Sequence, residues 1–212
     1  MSGFIDERTA LEIVDNYLRT HGCTPKRLSS SKKAGQKTPD FEIYIENRVE
    51  FICEIKTPKL LRNPLTKIFN WNTTVSKIRE HSSKAYKQFL SYDKNHAYPW
   101  ALFFISSHPQ LNWKNMLDSL CGTITVGKLI IKDLRNQRFI KATQSEINNI
   151  DFFVWIQVNP RRKKIYQLVN FMNLNSRFIK KIRTIIKRLI PYEDEDILDI
   201  NAKKYRRIRK KF

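Results

Sequence analysis

An alternation of apolar and polar residues between positions 41 and 55 constrains the fold of this chain more than any other feature. Successive side chains of a β-strand point to opposite faces, so this pattern predicts strands with one buried face and one polar face. A polar break at Glu46–Arg48 predicts that residues 40–56 form a hairpin. The apolar positions are Phe41, Ile43, Ile45, Val49, Phe51, Cys53 and Ile55. The polar face carries Asp40, Glu42, Tyr44, Glu46, Glu50, Glu54 and Lys56.

The pairing of the two strands follows from the same pattern. Apolar residues must face apolar residues, and a three-residue loop near Glu46–Val49 satisfies this requirement. Asp40 then lies opposite Glu54, with Cβ atoms about 5 Å apart, or diagonal to it at about 7–8 Å and opposite Lys56. Either arrangement brings two carboxylates and a lysine to one divalent cation such as Mg²⁺ or Mn²⁺. Such a group suits phosphodiester hydrolysis, because the cation activates water and the lysine offsets developing charge.

The rest of the chain contains further periodic segments. Helices are predicted over residues 6–20, 74–92 and 176–190. Strands are predicted over residues 100–105, 123–131, 151–158 and 164–171, and loops over residues 24–38 and 57–72. The run at 100–105 is continuously apolar, which is typical of a strand buried on both faces. The order of elements predicts an α/β or α+β core, with a mixed β-sheet flanked by helices.

The hairpin contains a recognisable pattern. Pro39-Asp40 is followed, after thirteen residues, by Glu54-Ile55-Lys56. This pattern resembles the signature of the PD-(D/E)XK nuclease superfamily, over about residues 5–105, whereas residues 106–212 match no family that we can name. The resemblance implies a restriction-endonuclease-like core and a metal-dependent deoxyribonuclease. It also implies that Asp40, Glu54 and the Ile55 carbonyl bind Mg²⁺ or Mn²⁺, and that Lys56 assists the attacking water.

The helix before the hairpin offers a further acidic residue. Superfamily members usually carry a glutamate there that points toward the metals, and Glu7 and Glu12 compete for this role. Glu7 is preferred, because it shares a helical stripe with Leu11, Val14 and Leu18, and a carboxylate on an apolar face needs a partner. The alternative is that Glu7 only favours the dipole of the first helical turn.

The helix after the hairpin contains Gln88-Phe89-Leu90-Ser91-Tyr92, which resembles the Q-x-x-x-Y motif of RecB-type members. His81, Lys84, Gln88 and Tyr92 lie on one ridge at helical spacing. Gln88 is therefore predicted to support the site, and Lys84 and Tyr92 to contact the substrate strand. A solvated helix flank is the alternative.

The net charge of +20 favours nucleic acid as the partner. A solubilising surface or a patch for anionic membranes is the alternative. Residues 161–190 contain ten Lys and Arg residues and no acid, and the predicted division is a nuclease-like core over 1–175 and a basic helix and tail over 176–212. Predicted nucleic-acid contacts are Lys32, Lys33, Lys37, Lys84, Tyr92, Arg161, Arg162, Lys163, Lys164, Lys180, Lys181, Arg183, Lys187 and Arg188.

The function predicted from these features is a DNA nuclease. A non-catalytic nucleic-acid-binding protein and an RNA endonuclease of the same fold are the alternatives, and a homodimer is left open. No apolar run approaches the roughly 18 residues of a membrane helix, and the N-terminus has no signal-peptide pattern. The three cysteines are far apart, which suits a reducing compartment. The predicted location is the cytoplasm, or the nucleus of a eukaryotic host, with no membrane partner.

Overall fold

The computed structural model describes residues 5–29, 37–59, 71–126, 129–159, 161–190 and 198–199. The helices are α1 (Glu7–Thr20), α2 (Trp71–Tyr92), α3 (Trp113–Cys121), α4 (Arg138–Asn148) and α5 (Ile179–Leu189). The strands are β1 (Thr24–Arg27), β2 (Phe41–Ile45), β3 (Arg48–Lys56), β4 (Trp100–Ser106), β5 (Thr123–Val126), β6 (Leu129–Asp133), β7 (Phe152–Asn159), β8 (Lys164–Met172) and β9 (Leu198–Asp199). The protein is α/β, as predicted. Among the described residues, every helix is too short or too polar to span a lipid bilayer.

Within the described residues, seven strands form one mixed sheet in the order β1-β2-β3-β4-β7-β8-β9, and β5 pairs with β6 in a separate ribbon. β1, β2 and β3 are antiparallel neighbours. β3, β4 and β7 run parallel to one another, so their carboxyl ends lie at the same edge of the sheet. The segment Glu54-Ile55-Lys56 ends β3 and therefore lies at this edge.

The continuous apolar run at 100–105 lies in β4, where every residue is buried. Ala101 and Phe103 belong to the cluster formed with α1 and α5 on one face of the sheet. Leu102 and Phe104 belong to the cluster formed with α2 and α3 on the other face. The prediction of a strand buried on both faces is confirmed.

Arg79 joins the three helices on the second face. It is fully buried on α2, and its Nε donates to Thr143 Oγ1 of α4 at 2.8 Å. Its guanidinium also donates to the carbonyls of Ser119 on α3 at 2.5 Å and Ile140 on α4 at 2.8 Å. Burial lowers the pKa of Arg79 to about 10. The carbonyls at the end of α3 complement its charge, because the C-terminus of a helix is electronegative.

The helices predicted over 6–20, 74–92 and 176–190 are confirmed as α1, α2 and α5. The prediction that residues 24–38 form only a loop is wrong, because β1 pairs with β2 there. β1 shows no apolar alternation, since Pro25 alone of its residues is buried. The predicted strand at 123–131 is two strands, β5 and β6, and the sequence interpretation missed α3 and α4.

Candidate active site

The turn that joins β2 to β3 differs from the predicted three-residue loop. Ile45 pairs with Arg48, which leaves Glu46 and Asn47 as a two-residue turn. Both residues have positive φ, at 50° and 62°. This conformation matches the right-handed twist of the flanking strands, which is why short hairpins use it.

The extra residue of the hairpin lies inside β3. Tyr44 pairs with Val49, whereas Ile43 pairs with Phe51, so Glu50 has no opposite partner and forms a bulge. The bulge restores the pairing of apolar with apolar residues that the alternation requires. The predicted pairing of apolar with apolar residues is thus confirmed, although a bulge in β3 produces it and not a three-residue loop.

Asp40 lies directly before β2 and in line with Glu54. Its N–H donates to the Cys53 carbonyl at 3.1 Å, one step beyond the Phe41–Cys53 pair. Its Oδ2 accepts a hydrogen bond from the N–H of Ile55 at 2.8 Å. Of the two arrangements that the sequence left open, the register therefore selects the one in which Asp40 lies opposite Glu54.

Glu54 is 2% exposed and lies on the face of β3 that α2 covers. Its Oε1 pairs with Lys56 Nζ. Its Oε2 is buried and has no hydrogen-bond partner among the described residues. A buried carboxylate oxygen without a hydrogen-bond donor costs free energy of folding. This atom therefore marks a place for a cation that takes oxygen ligands.

The two carboxyl groups share one electrostatic environment. The pKa of Glu54 is raised to about 7, chiefly by burial and next by the neighbouring charge of Asp40, whereas Lys56 acts in the opposite direction. Burial also raises the pKa of Asp40, against the lowering effects of the Ile55 N–H and Lys56. Two carboxylates this close favour a bound proton or a bound cation over two free negative charges.

Gln88 holds the lysine in place. Lys56 Nζ donates to Gln88 Oε1 at 3.1 Å, and Gln88 Nε2 donates to the Thr38 carbonyl at 3.1 Å. The side chain of Gln88 therefore links α2 to the segment just before Asp40. The sequence interpretation missed Thr38, because a backbone carbonyl leaves no signal in a side-chain pattern.

The other residues of the α2 ridge contact acidic side chains. The Tyr92 hydroxyl donates to Glu42 Oε1 at 2.6 Å, and the Tyr44 hydroxyl donates to Glu42 Oε2 at 2.7 Å. Lys84 pairs with Glu80 at 2.6 Å on the exposed side of α2. Tyr92 thus ties α2 to β2, and the structure adds Glu42 as its partner.

A cleft of about 640 Å³ lies beside this group, between the start of α1, the end of β3 and α2. Its lining includes Glu7, Lys59, Lys77, His81 and Lys84. Glu7 is exposed, so the expectation that it faces the core with Leu11 is wrong. Its negative charge nevertheless helps to raise the pKa of Asp40, to which burial makes the largest contribution. Glu7 lies in the first turn of α1, so the helix dipole also favours it there.

His81 faces the same charged group from α2. Burial lowers the pKa of His81 to about 4, and the positive charge of Lys56 contributes to this change. The imidazole is therefore neutral at physiological pH. A second cleft of about 480 Å³ is lined by Asp40 together with Arg27 and Thr38.

The donors at this site fit a hard divalent cation. Asp40 and Glu54 supply two carboxylates, and the orphaned Glu54 Oε2 has no competing donor among the described residues. No group of three or more His, Cys, Asp or Glu side chains suited to a metal occurs in the described part of the chain. A cation here would be held by the two carboxylates, a backbone carbonyl and water, as Mg²⁺ usually is.

The predicted basic contacts fall into separate places. Arg161–Lys164 are exposed in the turn after β7, at the same edge of the sheet as the end of β3. Lys163 lies near Asp6. Its positive charge lowers the pKa of Asp6, in addition to the larger effect of the hydrogen bonds from Thr9. Lys37 is exposed before Asp40, and Lys32 and Lys33 lie outside the described residues. The cations of α5 lie elsewhere, on the face that α1 shares.

No protein-family model, curated protein or solved structure matches this chain. The site is therefore interpreted from its own geometry.

Proposed function

We propose that this protein is a metal-dependent nuclease that hydrolyses phosphodiester bonds in DNA, on a restriction-endonuclease-like core. The observation that carries the proposal is the contact of Asp40, Glu54, Lys56 and Gln88 at the carboxyl end of β3. Two carboxylates, an amine and an amide in one group, with Asp40 lining a cleft, suit hydrolysis of a phosphodiester. The positive net charge of the chain favours a polyanionic substrate.

Asp40, Glu54 and the Ile55 carbonyl would hold Mg²⁺ or Mn²⁺. When bound, such an ion polarises a phosphate oxygen and lowers the pKa of a coordinated water. Glu54 is fixed by its position near the end of β3 and by burial, which keeps its carboxylate in one geometry. Asp40 is fixed by the Ile55 N–H, which leaves its second oxygen for a ligand.

Lys56 is the candidate for orienting the attacking water or for stabilising negative charge on the phosphate. Its ammonium donates to Gln88, so its position does not depend on Glu54 alone. When Glu54 takes a cation, Gln88 still anchors Lys56 beside the reacting group. Gln88 acts as a positioning residue in this scheme, through Thr38 on one side and Lys56 on the other.

The test is cleavage of plasmid and linear DNA with Mg²⁺ or Mn²⁺. Asp40→Ala and Lys56→Ala should each reduce the rate by about 100-fold or more, the size of effect seen when a charge-stabilising group is lost. Lys94→Ala is the matched control, because Lys94 is exposed in the loop after α2 and lies away from the site. Cleavage by either site variant at the wild-type rate would overturn the proposal.

Two further arms separate the alternatives. Competition among single-stranded RNA, single-stranded DNA and duplex DNA distinguishes a deoxyribonuclease from a ribonuclease. A metal titration distinguishes catalysis from simple binding, since a non-catalytic binder should show no Mg²⁺ dependence and no loss on Glu54→Ala.

A further inference from the structure

Helix α5 presents a row of cations on the side that faces away from the core. Its apolar positions Ile182, Ile185, Ile186 and Leu189 are buried against the sheet. The exposed side chains are Lys180, Arg183, Thr184, Lys187 and Arg188. No acidic residue occurs anywhere in residues 161–190, so this face carries charge of a single sign. Such a patch attracts polyanions by a long-range field.

Two contacts place α5 at the end of the sheet opposite to the candidate active site. Lys181 Nζ pairs with Glu50 at 3.2 Å, near the start of β3, whereas Lys56 ends that strand. The six steps from Glu50 to Lys56 span about 20 Å at the usual strand rise. Arg188 lies beside Gly22, because a Cβ on Gly22 would be 3.4 Å from Arg188 Nη1.

Helix α1 gives an independent measure of the same distance. It begins with Glu7 in the cleft by the site and ends just before Gly22. Its 14 residues correspond to about 21 Å of helix. Both lengths agree, so the cations of α5 lie about 20 Å from the candidate active site, too far away to contact the scissile phosphate.

The edge strand β1 connects the two places. It starts at Thr24, close to Gly22 and Arg188, and ends at Arg27, which lines the cleft that also contains Asp40. Lys26 and Arg27 are both exposed on this strand. Two cations, Lys26 and Arg27, therefore lie on the edge strand that leads from Arg188 to the cleft of Asp40.

We propose that α5 and β1 form a second DNA-binding surface, which holds the phosphate backbone of duplex substrate about six base pairs from the cleaved bond. The spacing follows from 20 Å at about 3.4 Å per base pair. Charge complementarity selects the occupant, because phosphate contacts by Lys and Arg hold DNA without reading its sequence. The inference rests on the proposed function and extends it. The length of the substrate duplex, as well as the contacts at the active site, sets the affinity for DNA.

The experiment measures DNA binding in EDTA, so that it does not depend on cleavage. The variant carries Lys180→Gln, Arg183→Gln, Lys187→Gln and Arg188→Gln together. Fluorescence anisotropy is recorded with a 30-base-pair duplex and with a 10-base-pair duplex, over 50–200 mM salt. A 10-base-pair duplex that occupies the site symmetrically extends only about 17 Å to either side, so it cannot also contact α5.

The variant should bind the long duplex more weakly and with a salt slope smaller by about 3 to 4, since each lost phosphate contact removes about 0.9. It should lose less affinity for the short duplex, which cannot contact α5 and the site at the same time. The control variant carries Arg138→Gln and Lys141→Gln on α4, two exposed cations of a helix on the other face of the sheet, and should match the wild type with both duplexes. Thr184→Lys adds a cation to the exposed row and should strengthen binding of the long duplex.

Equal binding of the long duplex by wild type and variant would overturn the inference, as would an equal loss with both duplexes. An equal loss of affinity per removed cation in the α4 control and in the α5 variant would show that only net charge matters, which also overturns it. Binding to vesicles of anionic lipid that requires the α5 cations, with DNA binding unchanged, would assign the surface to a membrane instead. The failure of the nuclease proposal is distinguishable, because it removes cleavage and leaves these binding results intact.

Discussion

Replacing Glu54 by Gln should make the metal-free protein more stable at pH 8 while it abolishes cation binding. The pKa of Glu54 is raised from 4.5 to about 7, chiefly by burial. Because the folded-state pKa lies above the unfolded value, the folded protein binds the extra proton between these pH values. Stability therefore falls as pH rises through that window.

The size of the effect follows from the same change in pKa. At 1.36 kcal/mol per unit, the ionised Glu54 costs about 3 kcal/mol above pH 7. Gln keeps the shape and removes the charge, so Glu54→Gln should regain most of this free energy at pH 8 and almost none at pH 4.5. For a chain of this length, about 3 kcal/mol corresponds to a rise in Tm of about 6–12 °C.

The assay is thermal unfolding in EDTA between pH 4.5 and 8, with Glu46→Gln in the exposed β2–β3 turn as the control. The difference in Tm between Glu54→Gln and wild type should grow with pH, and the control should show no such trend. Mg²⁺ at about 1,000 times its Kd should then reverse the order at pH 8, since it stabilises the wild type by about 4.1 kcal/mol and the variant lacks the site. A difference in Tm that does not change with pH, or a less stable variant at pH 8, would refute this reasoning.

Three further substitutions test contacts that the helices make. Arg79→Ala should lower the free energy of unfolding in urea by about 3 kcal/mol or more, because it leaves buried carbonyls such as that of Ser119 without a donor. An unchanged unfolding midpoint would contradict the role given to Arg79. Gly122→Ala should lower the Tm, since Gly122 has φ of 68° and a Cβ would lie 2.9 Å from Ile140 Cγ2; a neutral result would refute this contact. Tyr92→Phe should cost about 1 kcal/mol of stability through the lost bond to Glu42, and a larger loss of cleavage than of stability would instead place the hydroxyl on the substrate.

The hairpin shows what the sequence could predict about the site. The alternation alone requires Asp40, Glu54 and Lys56 to share a face, and the structure places their charged groups together there. The alternation requires one extra residue in the hairpin but does not say whether it lies in the loop or in a strand. The structure places it at Glu50, a choice that depends on local twist and not on polarity.

Elements without a periodic pattern could not be found in the same way. β1 has a single buried residue, Pro25, and its strand conformation depends on pairing with β2. α3 did carry a local signal that was overlooked, because Asn112 and Asn115 form a capping box and Gly122 ends the helix. Glu7 is exposed in the first turn of α1, before the first buried residue of that helix, Ala10.

A crystal structure of the protein soaked in Mn²⁺, with anomalous data, addresses the proposed cation site most directly. We expect one strong anomalous peak within about 2.5 Å of oxygens from both Asp40 and Glu54, with Lys56 still bound to Gln88. A fully occupied Mn²⁺ elsewhere, with the Glu54–Lys56 pair intact and no peak between the two carboxylates, would contradict the hydrolytic mechanism.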